Sequence, residues 1–293
     1  MTTQQLTYTL TAYLLVVGSA PAQIPLRWKL EKGQVFEVER TATQKQTVEL
    51  KGKEFRQECQ SRWRLRFEVT EKDGDHSVVQ AHFTKVEHHL RGAGEAELID
   101  PKLAEKMQGS SFRLTVTPSG RIVQLRGYAD FLKRAGGADK GRLAALRVTF
   151  PETGFTEALS DVFGPLPPKR VAKDGGWQRE YTEPIPHFGA LRMTASYRNE
   201  APSKGRARII YTVQAKYEAP SKDEKMAIFR IVNGSVASDQ SNGTIVFDQA
   251  AGCLVEHERC VLVRGTLTIE AMDRQQAIAF RSENKVSIRV KKQ

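Results

Sequence analysis

FRLTVTPSGRIVQLRG, residues Phe112 to Gly127, decides the fold. Phe112, Leu114 and Val116 alternate with polar residues, Pro118-Ser119-Gly120 breaks the run, and Ile122 to Leu125 resumes it. Alternation at period two around a Pro/Gly break reads as strand, tight turn, strand. The same shape returns as TIVFDQAAGCLVEHERCVLVRG, Thr244 to Gly265, with the turn over Asp248 to Gly252. What precedes each copy is also alike: Lys32-Gly33-Gln34-Val35-Phe36 is echoed by Asp174-Gly175-Gly176-Trp177, a turn running into an aromatic strand start. The expected architecture is mainly β (α+β). It consists of long antiparallel curved sheet or sheets in two similar halves, with a few short helices in the middle covering one face. The expected division is a signal peptide at 1–22, an N-terminal β half at 23–127, a helical connector at 128–170 and a C-terminal β half at 171–293.

Working outward, Val35 to Leu50 alternates as a strand with one wet face would. Phe55 to Thr70 follows, with Trp63, Leu65, Phe67 and Val69 on one side, then a hairpin signal at Asp73-Gly74-Asp75 and a third strand from Ser77 to Leu90. Asp100-Pro101 starts a short helix over Lys102 to Met107. In the middle, Tyr128 to Arg134, Lys140 to Val148 and Thr156 to Phe163 carry helical spacing between Gly and Pro breaks. The second half continues with strands at Gln178 to Thr182, Gly189 to Glu200, Arg206 to Glu218, Met226 to Ser238, Gly265 to Asp273 and Gln276 to Val290. Asn233-Gly234-Ser235 and Asn242-Gly243-Thr244 fit the glycosylation pattern, but Asn-Gly is first of all a turn signal.

A chain of 293 residues can bury a real core. Its formal net charge of +11 is spread along the strands, with no dense cluster outside Arg289 to Lys292. That pattern supports solubility and loose attraction to anionic surfaces, and no nucleic-acid partner is expected. Met1 to Ala22 carries no charged side chain, and Thr9 to Gly18 is an apolar run of signal-peptide length, too short to span a bilayer. Ser19-Ala20-Pro21-Ala22 offers small residues for cleavage after Ala22. The early Lys or Arg of the standard leader is missing. The chain is therefore expected to be exported, periplasmic or extracellular, and not transmembrane. The cysteines are Cys59, Cys253 and Cys260. Read as one continuous strand, Cys253 and Cys260 face opposite ways about 23 Å apart at ~3.3 Å per residue, beyond disulfide reach. A bridge from Cys59 to one of them, or three free thiols, remain as alternatives.

No catalytic constellation emerges. Gly109-Ser110-Ser111 is no nucleophile elbow, and there is no phosphate-binding glycine loop. The acids Asp73, Asp75, Asp130, Asp139, Asp161 and Asp174 lack calcium spacing. Simple alternation puts His82 and His88 on one strand face about 20 Å apart at ~3.3 Å per residue, too far to share a metal, so no metal and no cofactor are expected. His88-His89 beside Glu87 could form a site only with help from another strand. His257, between Glu256 and Glu258, reads as cross-strand charge pairing.

The opening Leu26-Arg27-Trp28-Lys29 and Lys32-Gly33, the FRLTVTPSGRIVQLRG segment, and Leu166-Pro167-Pro168 leading to Asp174-Gly175-Gly176-Trp177 occur in an order that resembles a secreted bacterial family. That family is common in planctomycetes and is known only as a domain of unknown function. Gly176 replaces the acidic or small residue usual before that tryptophan. The resemblance implies a class and no mechanism. The expected architecture is also similar to periplasmic lipoprotein carriers, which hold acyl chains against a curved sheet. On these grounds the expected function is a non-enzymatic binding protein for a lipid or other apolar ligand, or for an envelope partner. Trp63, Phe67 and Leu114 are the candidate ligand contacts. The alternatives are an envelope hydrolase using carboxylates from several strands, and a structural envelope component.

Overall fold

The computed structural model describes residues 26–92, 101–167, 175–185, 189–200, 205–220, 230–271 and 274–292. The leader-like segment 1–22 and the 171–174 turn lie outside them. Three long strands come first: β1 (Val35–Leu50), β2 (Lys53–Asp73) and β3 (His76–Gly92). Helix α1 (Pro101–Met107) leads to the deciding hairpin, β4 (Ser111–Val116) and β5 (Ile122–Arg126). Three helices follow, α2 (Tyr128–Gly136), α3 (Lys140–Thr149) and α4 (Glu152–Phe163). The chain then runs through β6 (Gly176–Ile185), β7 (Gly189–Asn199), β8 (Arg206–Glu218), β9 (Arg230–Ser238), β10 (Asn242–Asp248), β11 (Cys253–Ala271) and β12 (Arg274–Lys292).

All twelve described strands join one antiparallel sheet, in the order β5-β4-β3-β2-β1-β12-β11-β10-β8-β7-β6, with β9 pairing β11 and β8 off that path. The two halves meet at the β1–β12 ladder, which runs from Phe36↔Lys292 to Glu49↔Ala279. Asn284 of β12 donates to Glu183 of the far edge strand β6 (2.7 Å), so the C-terminal part of the sheet rolls over its own inner face. Only a closed or rolled sheet lets strands so distant in hydrogen-bonding order touch.

The inner face is built by alternation. Phe36, Val38 and Arg40 of β1 and Trp63, Leu65, Phe67 and Val69 of β2 are buried, while their neighbours in sequence are more exposed. Helices α2 and α4 lay their apolar sides on this face through Phe131, Leu132, Phe155, Leu159, Val162 and Phe163, all buried. Each buried side chain of this size contributes about 1.5–3 kcal/mol. Helix α3 is capped by Asp139, whose carboxylate accepts from the Arg142 N–H (2.9 Å).

Two sequence readings change. The arm read as ending at Gly265 after the Asp248–Gly252 turn and the separate Gly265–Asp273 strand become one continuous 19-residue strand, β11. Gly265 is needed within it because a Cβ there would overlap the Ser235 carbonyl oxygen of the adjacent β9. His82 and His88 do not share a face. The register shifts where Arg64 pairs Lys85 and Leu65 pairs Phe83. A bulge at Thr84 resets the alternation, so His88 lies on the inner face with Val86 and His82 on the outer face beside Ser111.

Candidate functional site

Two features of the inner face adjoin at Trp63. One is an aromatic layer between sheet and helices. Trp63 meets Phe83 edge-on (centroids 5.5 Å) and Phe155 of α4 (6.1 Å). Phe155 also packs on Phe112 (5.0 Å) and Phe131 (5.1 Å), and Tyr128 joins at 6.1 Å. Leu114 and Phe67 are fully buried, Phe67 stacking on Phe36 (5.0 Å) nearer the α4 C-terminus. The three candidate ligand contacts Trp63, Phe67 and Leu114 therefore lie under the helices, enclosed by side chains.

The other feature is a buried ionic cluster. Register places Ile245, His257, Ile288, Arg40 and Trp63 in one row across β10, β11, β12, β1 and β2. The next row sets Tyr211, Gly243 and Arg259 side by side on β8, β10 and β11. Gly243 has a local reason: a Cβ there would fall within the Tyr211 ring, which leans over β10 so that its hydroxyl meets His257 Nε2 at 2.7 Å. His257 Nδ1 faces the Asp161 carbonyl oxygen (3.2 Å). A carbonyl only accepts, so Nδ1 carries the proton and the tyrosine hydroxyl donates to Nε2. The sequence reading of His257 as cross-strand charge pairing is thereby corrected: it is 2% exposed and bonds inward to Tyr211 and the Asp161 carbonyl.

Asp161 sits in the last turn of α4, where the helix dipole disfavours a carboxylate and no basic residue of the helix compensates. The sheet supplies the cations. Arg259 lies 3.6 Å from Asp161 and 3.7 Å from Glu183 of β6, with its side chain 8% exposed, and its Nη1 donates to the Tyr181 hydroxyl (3.4 Å). Arg179 pairs with Glu157 (2.8 Å) at the cluster's edge. Arg40 is buried with its guanidinium over the Trp63 ring (4.7 Å).

Burial pushes the Asp161 carboxyl up, but Arg259 and Arg40 outweigh it and hold it below its usual 3.8. Burial pushes His257 below its usual 6.5. Burial also raises Tyr211 and lifts Tyr181 to about 12. The cluster thus works as a latch: it holds the C-terminal end of α4 against the sheet. Trp28 Nε1 adds a bond to the Phe163 carbonyl (2.6 Å), and Trp177 Nε1 one to the Pro165 carbonyl (3.1 Å). The space beside the ions is about 10 Å³, enough for one water. Asp161 and Glu183 are carboxylates gathered from separate elements, as a hydrolase would need, but both grip Arg259.

A second pair sits farther out on the inner face. His88 does receive help from another strand: its Nε2 is 3.6 Å from Cys59 Sγ. Burial raises that thiol to about 11, so it is protonated and not activated. Cys59, Cys253 and Cys260 are all free, which corrects the alternative of a bridge. Among the described residues no three His, Cys, Asp or Glu side chains gather as metal ligands, and no helix is long and apolar enough to cross a membrane.

Sequence signals for the cluster existed only piecemeal. Arg40 interrupts an apolar face at a position alternation assigns inward, and His257 and Arg259 do the same on β11. Their convergence with Asp161 depends on tertiary placement of α4.

No family model and no curated protein sequence matches this chain. Among solved structures it is similar to lipovitellin, in a structure describing lipid–protein interactions, with 9% identity and a TM-score of 0.45, over 90% of this chain and 26% of that one. The chain therefore spans about a quarter of the lipovitellin chain's length. It is also similar to DynF of the dynemicin biosynthesis pathway of Micromonospora chersina, with 8% identity and a TM-score of 0.19, over 97% of this chain and 92% of that one.

Proposed function

We propose that the protein is an exported, non-enzymatic binding protein that admits an apolar ligand between its helices and the inner face of its sheet. The observation that carries this reading is an asymmetry in how the helices are held. The C-terminal end of α4 is fixed by buried ions and two indole hydrogen bonds. Over the aromatic layer, by contrast, α2 and α4 meet the sheet through aromatic rings, with Arg134 of α2 donating to the Gly109 carbonyl at the surface (3.3 Å). The remaining contact is apolar and non-directional, so an apolar ligand can replace it at small cost. Helices hinged at the latch would lift from Trp63, Phe83 and Phe112, and the ligand's chain would take their place. Phe67 and Leu114 form the floor of that space. Export rests on the leader-like segment 1–22.

The test is titration of lipid-stripped protein with the neutral fluorophore N-phenyl-1-naphthylamine. Saturable binding that quenches tryptophan emission, and loses that quenching in Trp63→Leu, is the expected result. A fluorescence increase that never saturates overturns the reading.

A further inference from the structure

Arg40 lends the latch its charge, but its Nε is left over. It is 7% exposed, and its Nε has no hydrogen-bond partner. The guanidinium lies over the Trp63 ring, 4.7 Å from its centroid. Burial lowers its basicity while Asp161 and Glu183 sustain its charge from a distance. A guanidinium carries five donors in a planar fork, and buried donors are rarely left without acceptors. Arg40 stands where the two halves of the site meet. On one side is the ionic cluster. On the other, Trp63 opens onto Phe83 and Phe155, the start of the aromatic layer.

Charge decides what kind of acceptor belongs there. The cluster already holds two guanidiniums, Arg40 and Arg259, against two carboxylates, Asp161 and Glu183, with Arg179 and Glu157 balancing each other. His257, depressed by burial, stays neutral. A ligand carboxylate or phosphate would leave a buried negative charge uncompensated, which is costly. A carbonyl oxygen supplies the missing acceptor and changes no charge.

We infer that the ligand is a neutral acyl ester or amide, its carbonyl oxygen accepting from Arg40 and its hydrocarbon chain lying along Trp63, Phe83, Phe112 and Phe155. This rests on the binding reading above and deepens it by naming the head group. Arg40 sets the ligand's register: it fixes the polar end, and the aromatic layer sets how much chain is covered.

The experiment is displacement of N-phenyl-1-naphthylamine from lipid-stripped full-length protein by three probes of equal chain length: methyl palmitate, palmitate and hexadecane. A hydrogen bond to a charged donor corresponds to about tenfold or more in affinity. Methyl palmitate is expected to displace the fluorophore about tenfold better than either other probe, and in Arg40→Met its advantage over hexadecane is expected to vanish. Equal displacement by ester and hydrocarbon in the unmutated protein overturns the inference but leaves the binding reading standing. Stronger displacement by palmitate overturns the neutral head group. Failure of the fluorophore to bind at all overturns both. The comparison in the unmutated protein does not depend on the variant folding, and Arg40→Lys, which keeps charge and donors but not the fork, should retain part of the preference.

Discussion

Replacing Asp161 by Asn removes one charge from the latch and little volume. In the native protein its carboxylate is 3.6 Å from Arg259, with side chains 13% and 8% exposed. Breaking a buried pair by neutralising one partner costs about 3–5 kcal/mol, because the other charge stays buried. Glu183, 3.7 Å from the same guanidinium, remains as a second partner, which argues for the lower end, about 3 kcal/mol. At about 2–4 °C per kcal/mol, the melting temperature should fall by roughly 6–12 °C. The His257 bond goes to the Asp161 backbone carbonyl and should survive, so this loss isolates the charge. Urea unfolding followed by tryptophan emission is a suitable assay, since Trp28 bonds to Phe163 beside the latch. The carboxyl's folded pKa is depressed below its usual 3.8. Its contribution is therefore fully present above that value and lost as pH falls through the folded pKa. Asp161→Asn should flatten the stability profile below about pH 4, the window set by that depressed carboxyl. The double variant Asp161→Leu/Arg259→Met should lose less than the two single losses added together, with a coupling of about 0.5–3 kcal/mol. A single-variant loss under about 1 kcal/mol, the range of exposed pairs, would refute the latch.

Other outcomes follow from the same geometry. His257 is held neutral, its folded pKa below the usual 6.5, so the stability it contributes is intact above that pH and erodes on acidification toward the folded value. His257→Gln should remove that slope in pH-dependent urea titrations, and an unchanged slope would contradict the buried, neutral assignment. Gly243→Ala should destabilise by about 1–3 kcal/mol through crowding of the Tyr211 ring, and much less in a Tyr211→Ala background; equal costs in both would show that the ring is not the obstacle. Phe155→Ala, at a site 3% exposed and packed on Trp63, Phe112 and Phe131, should cost about 3–5 kcal/mol by thermal unfolding. It should also weaken fluorophore binding, whereas unaltered binding would detach the aromatic layer from the ligand.

The architecture was legible wherever period-two alternation ran unbroken. Val35–Leu50 and Arg206–Glu218 match their strands end to end, and the Pro118–Gly120 break falls between β4 and β5. Alternation failed where a bulge reset it: Thr84 moved His88 to the opposite face from His82, and no local residue type announced this. Gly265 looked like a stop, yet its missing side chain serves a close neighbour strand. The latch was hidden for a different reason. Arg40, His257, Arg259 and Asp161 each look like ordinary polar residues of strands or helices, and only the rolled sheet with α4 across it brings them together. The aromatic residues were visible as an inward face, and the helical spacing over residues 128–163 indicated that helices would cover it, but not which helix side chains would meet which rings.

The most direct measurement is native mass spectrometry of the protein purified without detergent from the cells that make it, followed by denaturation and solvent extraction. The expected result is a protein mass exceeding its own polypeptide by one bound molecule, which is released on unfolding and carries an acyl ester or amide. A mass equal to the bare polypeptide, with no acyl compound in the extract, would contradict a ligand held between helices and sheet.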